Sequence, residues 1–528
     1  MRSYLGVALR RATFAVSLSL LAAGGATQAH SRDFNIVVPS VDSEDMDPML
    51  FRSAGQTTYY PLVFDTLIMK DKDTGQLSPG LAESWALDAD GKSWVIKLRQ
   101  GVKFHDGSDF TAEDAKFTIE RYMGKFGPVS APSSERIAKM ISAIDIVDAG
   151  TIVIRSENGA PTIPFDLAAY EPGGAAGYVV PKAYVERVGA EAFNRAPVGT
   201  GPFRLTGQDL GRQMRFEANK DYWNGAPSYE GLTLRIVPEL SARMAQLRSG
   251  EADIVAGVVG PAIPQVQSDP SLKVVPAEKG HLVYMIFGGM TSDTPLAKPQ
   301  VRRAINMAID RQAIVDHLLY GQGEPAYLFS FPFAFGWPQD AASHAVPHDP
   351  EQAKKLLAEA GFADGFDMTL FAATEGRDFA QAIAQYLEAV GIRVRLDVRE
   401  VAQTLAEARN EDGKKSARMI LLYGPFGSGA RADTGGLMHT FLVSGEGLAQ
   451  PHGDDELSRW VVEQAGTADV EARRKLFSQI LARAADIDAI LPLYYVNSLF
   501  AVGPGVASWQ PIPGVGYPSN LAGARLAD

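Results

Sequence analysis

Three short runs hold residue types that could carry chemistry. His105-Asp106 sets an imidazole beside a carboxylate, the minimum for exchanging a proton. His344 and His348 are four apart, a spacing at which one helix face presents two nitrogens to a metal. Pro347 stands between them and breaks the helix that such a pair needs. Gly91-Lys92-Ser93 ends like a phosphate-binding loop but lacks the upstream glycine. The chain has no cysteine, which excludes thiol nucleophiles and cysteine-based metal sites. It has no G-x-S-x-G elbow, no H-E-x-x-H pair and no glycine-rich dinucleotide fingerprint. An enzyme finds no constellation here, and no cofactor is expected. The chemistry that remains is recognition, in a cleft with a few polar groups and aromatic walls.

Strands and capped helices must hold whatever does the recognising. The best-marked stretch is residues 79–122, PGLAESWALDADGKSWVIKLRQGVKFHDGSDFTAEDAKFTIERY. Asp88-Ala89-Asp90-Gly91 has turn chemistry, and residues 93–98 alternate, with Trp94, Ile96 and Leu98 on one face, as in a half-buried strand. Thr111 and Asp114 form a capping box, behind which Ala115, Ile119, Tyr122, Met123 and Phe126 recur at helical spacing. Residues 144–147 and 151–155 read as a hairpin. Residues 240–249 read as a helix ended by Gly250. Residues 299–320 read as one helix, with Arg302, Arg303, Asp310 and Arg311 mostly outside its apolar face. Asp349 caps a helix that runs to Gly361, and residues 379–390 form another, followed by the alternating strand Ile392, Val394, Leu396, Val398. Helix then strand, repeated, predicts α/β construction. A chain of 528 residues exceeds a single core and predicts two or three domains.

The first 29 residues read as a secretory signal: Arg2, Arg10 and Arg11 are followed by an apolar run over 12–23 and by Thr27-Gln28-Ala29. That run is too short to span a bilayer. Without cysteine the mature chain, expected to begin near His30, has neither disulfides nor a thiol for lipid attachment, so a free periplasmic protein is expected. A net charge of −12 argues against nucleic acid or anionic lipid as a partner.

LAESW, followed by DGKSWVIKLRQGVKFHDGSDFTAEDAKF, resembles the signature of the large peptide- and nickel-type solute-binding proteins of ABC importers, solute-binding family 5. Met46-Asp47-Pro48, PVGTGPFRL, ANKDYWNGAP, Glu251-Ala252-Asp253-Ile254, VRRAINMAIDRQAIV and Leu491-Pro492-Leu493-Tyr494-Tyr495 resemble its other landmarks. Gaps fall near 124–195 and 424–450. The resemblance implies an α/β, two-lobed periplasmic binding protein fold of type II, large cluster C type, with an extra subdomain in the first lobe. It implies lobe I at 30–288 with the signature subdomain at about 61–190, lobe II at 289–490, and a return to lobe I over 491–528. It also implies a structural role for the loop carrying His105 and Asp106. The implied function is capture of a peptide or peptide-like solute by a monomer that delivers it to an inner-membrane permease. Alternatives are a nickel or other metal chelate, an opine, an oligosaccharide, or an exported hydrolase.

Two stretches depart from the family's commoner wording and are the expected ligand contacts. RSAGQTTYY follows the Asp-Pro loop and offers Arg52, Tyr59 and Tyr60; in an extended chain the two tyrosines would face opposite ways. YGPFGSGARADTGGLM offers Tyr423, Phe426, Arg431 and Asp433, at the place where peptide-binding relatives carry a tryptophan and an aspartate that holds the ligand's amino terminus. Asp433 is read either as that carboxylate or as a helix cap. Arg431 would suit an anionic ligand, and His439 a metal chelate.

Overall fold

Two long strands, Lys273–Gly288 and Ile490–Val502, run antiparallel through the middle of the molecule, and the rest of the chain is built around their two ends. The structure is a computed structural model that describes residues 32–527, apart from 90, 132, 158–159, 171–175, 423–429, 445–447, 449 and 451. The expected signal segment and both Tyr423 and Phe426 lie outside the described residues.

One sheet passes through both lobes. On one side of the long pair it continues through Ile254–Ala256, Phe34–Val38, Gly231–Ile236, Gln213–Ala218 and Phe203–Asp209. On the other side it continues through Arg418–Leu422, Asp367–Ala373 and Arg393–Arg399, the last three mutually parallel as helix–strand repetition requires. The register of the long pair slips between Ala277 and His281. There Lys279 takes a left-handed φ of 53°, and its N–H bonds to the Asn497 Oδ1 at 3.0 Å instead of to a strand. The hydrophobic cores change at this bulge. Ala277 and Phe500 belong to a core with Phe34 and Ile36, whereas Leu282 and Val283 belong to cores with Phe441 and Ile305. The architecture is thus α/β and two-lobed, with two strands crossing between the lobes.

The signature stretch builds a four-stranded antiparallel sheet in the order Ala82–Leu87, Ser93–Leu98, Thr151–Arg155, Ala143–Asp148. Trp94, Ile96 and Leu98 are buried, as their alternation predicts. The helix Ala112–Tyr122 starts with both halves of the Thr111–Asp114 capping box in place. It ends at Tyr122, so Phe126 lies past the helix and is 53% exposed, with its ring tilted against Phe117 at a centroid distance of 4.9 Å. From this helix Arg121 donates to both oxygens of Asp47 at 2.7 and 2.6 Å, which fastens the Asp-Pro loop to the subdomain. His105 faces the glycines of PVGTGPF: its Nε2 donates to the Gly201 carbonyl at 2.9 Å, and its Nδ1 accepts from the Gly199 N–H at 3.4 Å. Those glycines are required by close approach: a Cβ on Gly199 would lie 2.1 Å from the Val63 carbonyl oxygen.

The expected single helix over 299–320 is two, Pro299–Ala308 and Arg311–Leu318. Ile309 and Asp310 are extended, and the Asp310 carboxylate caps the second helix through the Ala313 N–H at 2.9 Å. Arg302 and Arg311 are buried rather than solvated. Arg302 donates to the Leu296 and Ile487 carbonyls, and Arg311 to the Pro492 carbonyl and to Asn306. Each guanidinium satisfies backbone acceptors left over at a helix or strand end, which a charge pattern alone does not reveal. The described residues contain no helix long and apolar enough to cross a membrane.

Candidate functional site

Facing elements of the two lobes enclose a cavity of about 440 Å³. One wall belongs to the region between the signature helix and PVGTGPF. It comprises the helix Ser134–Met140, which supplies Arg136 and Met140, and the turn Ile163–Asp166, which supplies Phe165 and Asp166. The opposite wall is the loop at 431–433 and the first turn of the helix Gly435–Leu442, with Gln464 and Arg473 from the helices behind it.

Each wall carries an internal ion pair. On the first, the Arg136 guanidinium forks onto both oxygens of Asp166, one of them at 3.1 Å, and Thr162 donates to the same carboxylate at 3.0 Å. Desolvation works against the charge on Arg136; Asp166 outweighs it, with Asp433 across the cleft adding to the effect, so its pKa stands above the ordinary arginine value. On the second wall, Asp433 Oδ1 accepts the Gly435 N–H at 2.7 Å and Oδ2 accepts Arg473 Nη1 at 2.6 Å. Arg473 is held on every side. Its Nε and Nη2 donate to Gln464, and its guanidinium lies 4.9 Å from the ring centres of both Phe335 and Phe477.

The lobes touch beside this cavity. Phe165 and Phe335 meet edge to face with centroids 6.0 Å apart. Lys70 of the first lobe donates to the Ala430 carbonyl of the second, and Ala430 packs with Ala169, Tyr170, Ile512 and Val515. A second cavity of about 390 Å³ lies within the first lobe, against Asp65. Its carboxylate already accepts from Thr200, Tyr222 and Trp223, and burial raises its pKa despite those three bonds.

Of the residues proposed from the sequence, Arg431 and Asp433 line the interlobe cavity. Arg52 does not; its side chain is 61% exposed and 3.7 Å from Asp45, a solvated loop charge. Tyr59 and Tyr60 are both fully buried in the first lobe. The chain there is not extended but forms the short helical turns Ala54–Thr58 and Tyr60–Val63, and both rings turn inward. The Tyr59 hydroxyl donates to the Ser43 and Asp45 carbonyls and the Tyr60 hydroxyl to the Asp47 carbonyl, so both serve the Asp-Pro loop. His439 is exposed at the cavity rim. Among the described residues no group of three metal-ligating side chains gathers. Arg136, Phe165, Asp166 and Arg473 were not foreseen; the i, i+4 spacing of Thr162 and Asp166 on one turn is the sole local signal they carry.

The chain resembles proteins of known role along most of its length. It is 28% identical over 477 residues to Di/tripeptide-binding protein 2 of Pseudomonas aeruginosa strain UCBPP-PA14, covering 85% of this chain and 86% of that protein. The solved structure of HbpA2 from Haemophilus parasuis superimposes with a TM-score of 0.80 at 22% identity, covering 94% of this chain and all of the other. The PBP AgaA of A. tumefacien R10, solved with agropinic acid, superimposes with a TM-score of 0.69 at 25% identity, covering 94% and 99%. Residues 76–430 match the bacterial extracellular solute-binding proteins, family 5 Middle, and the chain belongs to that family.

Proposed function

We propose that this protein is the periplasmic solute-capturing component of an ABC importer, taking a peptide or peptide-like solute between its lobes and presenting it to a permease. The observation that carries the reading is the interlobe cavity, walled by Arg136, Phe165 and Asp166 of the first lobe and by Asp433 and Arg473 of the second, between lobes joined by two strands that bulge where they cross. Such a joint lets two rigid bodies swing about a few residues, so a solute bridging the walls stabilises the closed arrangement. The similarity to a di/tripeptide-binding protein supports peptides. The similarity to the agropinic acid complex of AgaA supports a second reading, in which the solute is an opine-like amino-acid conjugate.

A thermal-shift screen of di- and tripeptides, opines, oligosaccharides and metal chelates tests this. A solute that binds only the folded protein stabilises it by RT ln(1 + [L]/Kd), about 2.7 kcal/mol at a hundredfold excess over Kd. Stabilisation by peptides or opines is the expected result. Stabilisation by sugars or metal chelates alone would replace the reading.

A further inference from the structure

We infer that Gly436 sets the width of the interlobe cavity and makes it selective for solutes that carry a bulky apolar group, an aromatic or long aliphatic side chain. The inference rests on the solute-capture reading above and concerns what the captured solute must contain. Gly435 and Gly436 open the helix Gly435–Leu442, and both line the cavity. They are glycines for different reasons. A Cβ on Gly435 would lie 2.8 Å from the Gln464 Oε1 and 3.0 Å from the Asp433 Oδ1, so the packing of the second wall excludes a side chain there. A Cβ on Gly436 would meet no atom of the described residues within 4 Å, and its backbone is helical, a conformation that any side chain can adopt. Glycine is the least favourable residue for a helix after proline. Among the described residues nothing in the packing requires glycine at 436, and what the missing side chain provides is space against the second wall.

The same cavity holds apolar surface that a solute can cover. Met140 and Phe165 of the first wall are half-buried, and Ala465 of the second is exposed. Both first-wall side chains are held in place, the Phe165 ring against Phe335 and the Met140 Sδ 3.4 Å from the Thr162 Oγ1. The Arg136–Asp166 and Asp433–Arg473 pairs each neutralise charge within their own wall. A polar solute group that meets such a pair exchanges bonds to water for bonds to protein, with a modest net gain. An apolar group gains in proportion to the area it removes from water, and closing lobes cover it from both sides. Discrimination by size then falls on the position where a side chain can enter the cavity without disturbing the fold, which is Gly436.

The test is calorimetry on the full-length mature protein with Ala-Ala, Ala-Leu and Ala-Phe, for the parent, Gly436→Ala and Gly436→Leu. The parent should bind Ala-Leu and Ala-Phe about tenfold or more tightly than Ala-Ala, the usual scale for filling an apolar pocket. Gly436→Leu should weaken Ala-Phe by about tenfold or more and Ala-Ala by less than about threefold, with Gly436→Ala between it and the parent. Without solute both variants should melt no lower than the parent, because each replaces glycine by a better helix former. Equal binding of the three dipeptides by the parent, or an equal loss for all three in Gly436→Leu, overturns the inference and leaves solute capture standing. A melting temperature lowered in both variants overturns it as well, because the glycine would then serve the fold. No binding of any dipeptide overturns the peptide reading and the inference together.

Discussion

Asp433 and Arg473 form an ion pair at 2.6 Å with side chains 6% and 2% exposed, so the carboxylate with the clearest claim on a ligand amine is already committed to a buried guanidinium. The commitment changes what a substitution there does. A ligand-binding aspartate at a cleft surface can be neutralised with little effect on the empty protein. Here Asp433→Asn leaves Arg473 buried without its charge partner, a situation that costs about 3–5 kcal/mol. The Arg473→Met and Asp433→Asn double variant should recover part of that loss. Urea denaturation without solute decides the matter: an unchanged midpoint for Asp433→Asn would show the pair to be energetically idle.

Trp94 supports the fold at a distance from the cavity. Its ring is 7% exposed on the inner face of the four-stranded sheet, and its Nε1 donates to the Ala160 carbonyl at 3.2 Å. Trp94→Ala should cost about 3–5 kcal/mol, the range for truncating a core aromatic. Solute affinity of the folded fraction should be unaffected. Lost binding in a variant that stays folded at assay temperature would tie the subdomain directly to the site.

His105 gives stability a pH dependence. Desolvation is the main cause that lowers its pKa from 6.5 to about 4, although the Gly201 carbonyl favours the charged ring. Its Nδ1 accepts a backbone N–H, so protonation there must break that bond. Below pH 6.5 the unfolded chain takes up a proton that the native imidazole refuses. Stability therefore falls as pH drops from 6.5 toward about 4, by at most about 1.4 kcal/mol per pH unit from this group. Above 6.5 both states are neutral and the group contributes nothing further. In His105→Gln the denaturation midpoint should vary less over this window than in the parent; parallel curves would show that the ring titrates normally.

The pattern of success in reading the sequence follows the range of the forces involved. Elements defined by neighbours in the chain were legible: the Thr111–Asp114 capping box, the helix Leu240–Ser249 closed by a left-handed Gly250, and the helix Pro350–Glu359 capped by Asp349. The break at Ile309 and Asp310 was hidden, because apolar spacing continues through it and the cap forms only if the chain extends there. Tyr59 and Tyr60 misled for a related reason: an aromatic run reads alike in a strand or a tight helical turn, and their hydroxyl partners come from the Asp-Pro loop. The cavity was half legible. Arg431 and Asp433 stood out as departures from a familiar pattern, whereas Arg136 and Asp166 sit in a Gly-, Pro- and Ala-rich stretch and meet them only across the gap between lobes. Arg473 carries no local signal, because Phe335 and Asp433, which enclose it together with Phe477, lie far from it in the chain.

Gly199 should tolerate no side chain. Its Cα faces the Val63 carbonyl so closely that a Cβ would lie 2.1 Å from the oxygen, and the obstacle is backbone, which cannot rotate away. Gly199→Ala must move the strand entry or the helical turn Tyr60–Val63, and overpacking of that kind costs about 1–3 kcal/mol or more. The same shift would disturb the His105 contact, so the variant should also lose part of the pH dependence described above. A variant as stable as the parent, with the same pH profile, would mean that the two segments sit farther apart than the structure places them.

Arg136 offers the most direct separation of binding from folding. Its side chain is 50% exposed, and its partner Asp166 sits on the same lobe, so the pair contributes at most about 1 kcal/mol to stability. Yet it forms the first lobe's charged wall, 3.1 Å from Asp166 and within the electrostatic reach of Asp433 across the gap. A solute that bridges the lobes must desolvate this guanidinium or bond to it. Arg136→Gln keeps the length and polarity of the side chain while removing its charge and its fork. If the solute touches this wall, losing one charge-assisted bond of about 1.5–3 kcal/mol weakens binding by roughly tenfold to a hundredfold. The melting temperature without solute should move little. Calorimetry of the variant and the parent with the solute identified by the screen reads both quantities. Parent-like affinity would place the solute against the second lobe alone, and closure would then depend on the Phe165–Phe335 and Lys70–Ala430 contacts rather than on the solute's own bridge.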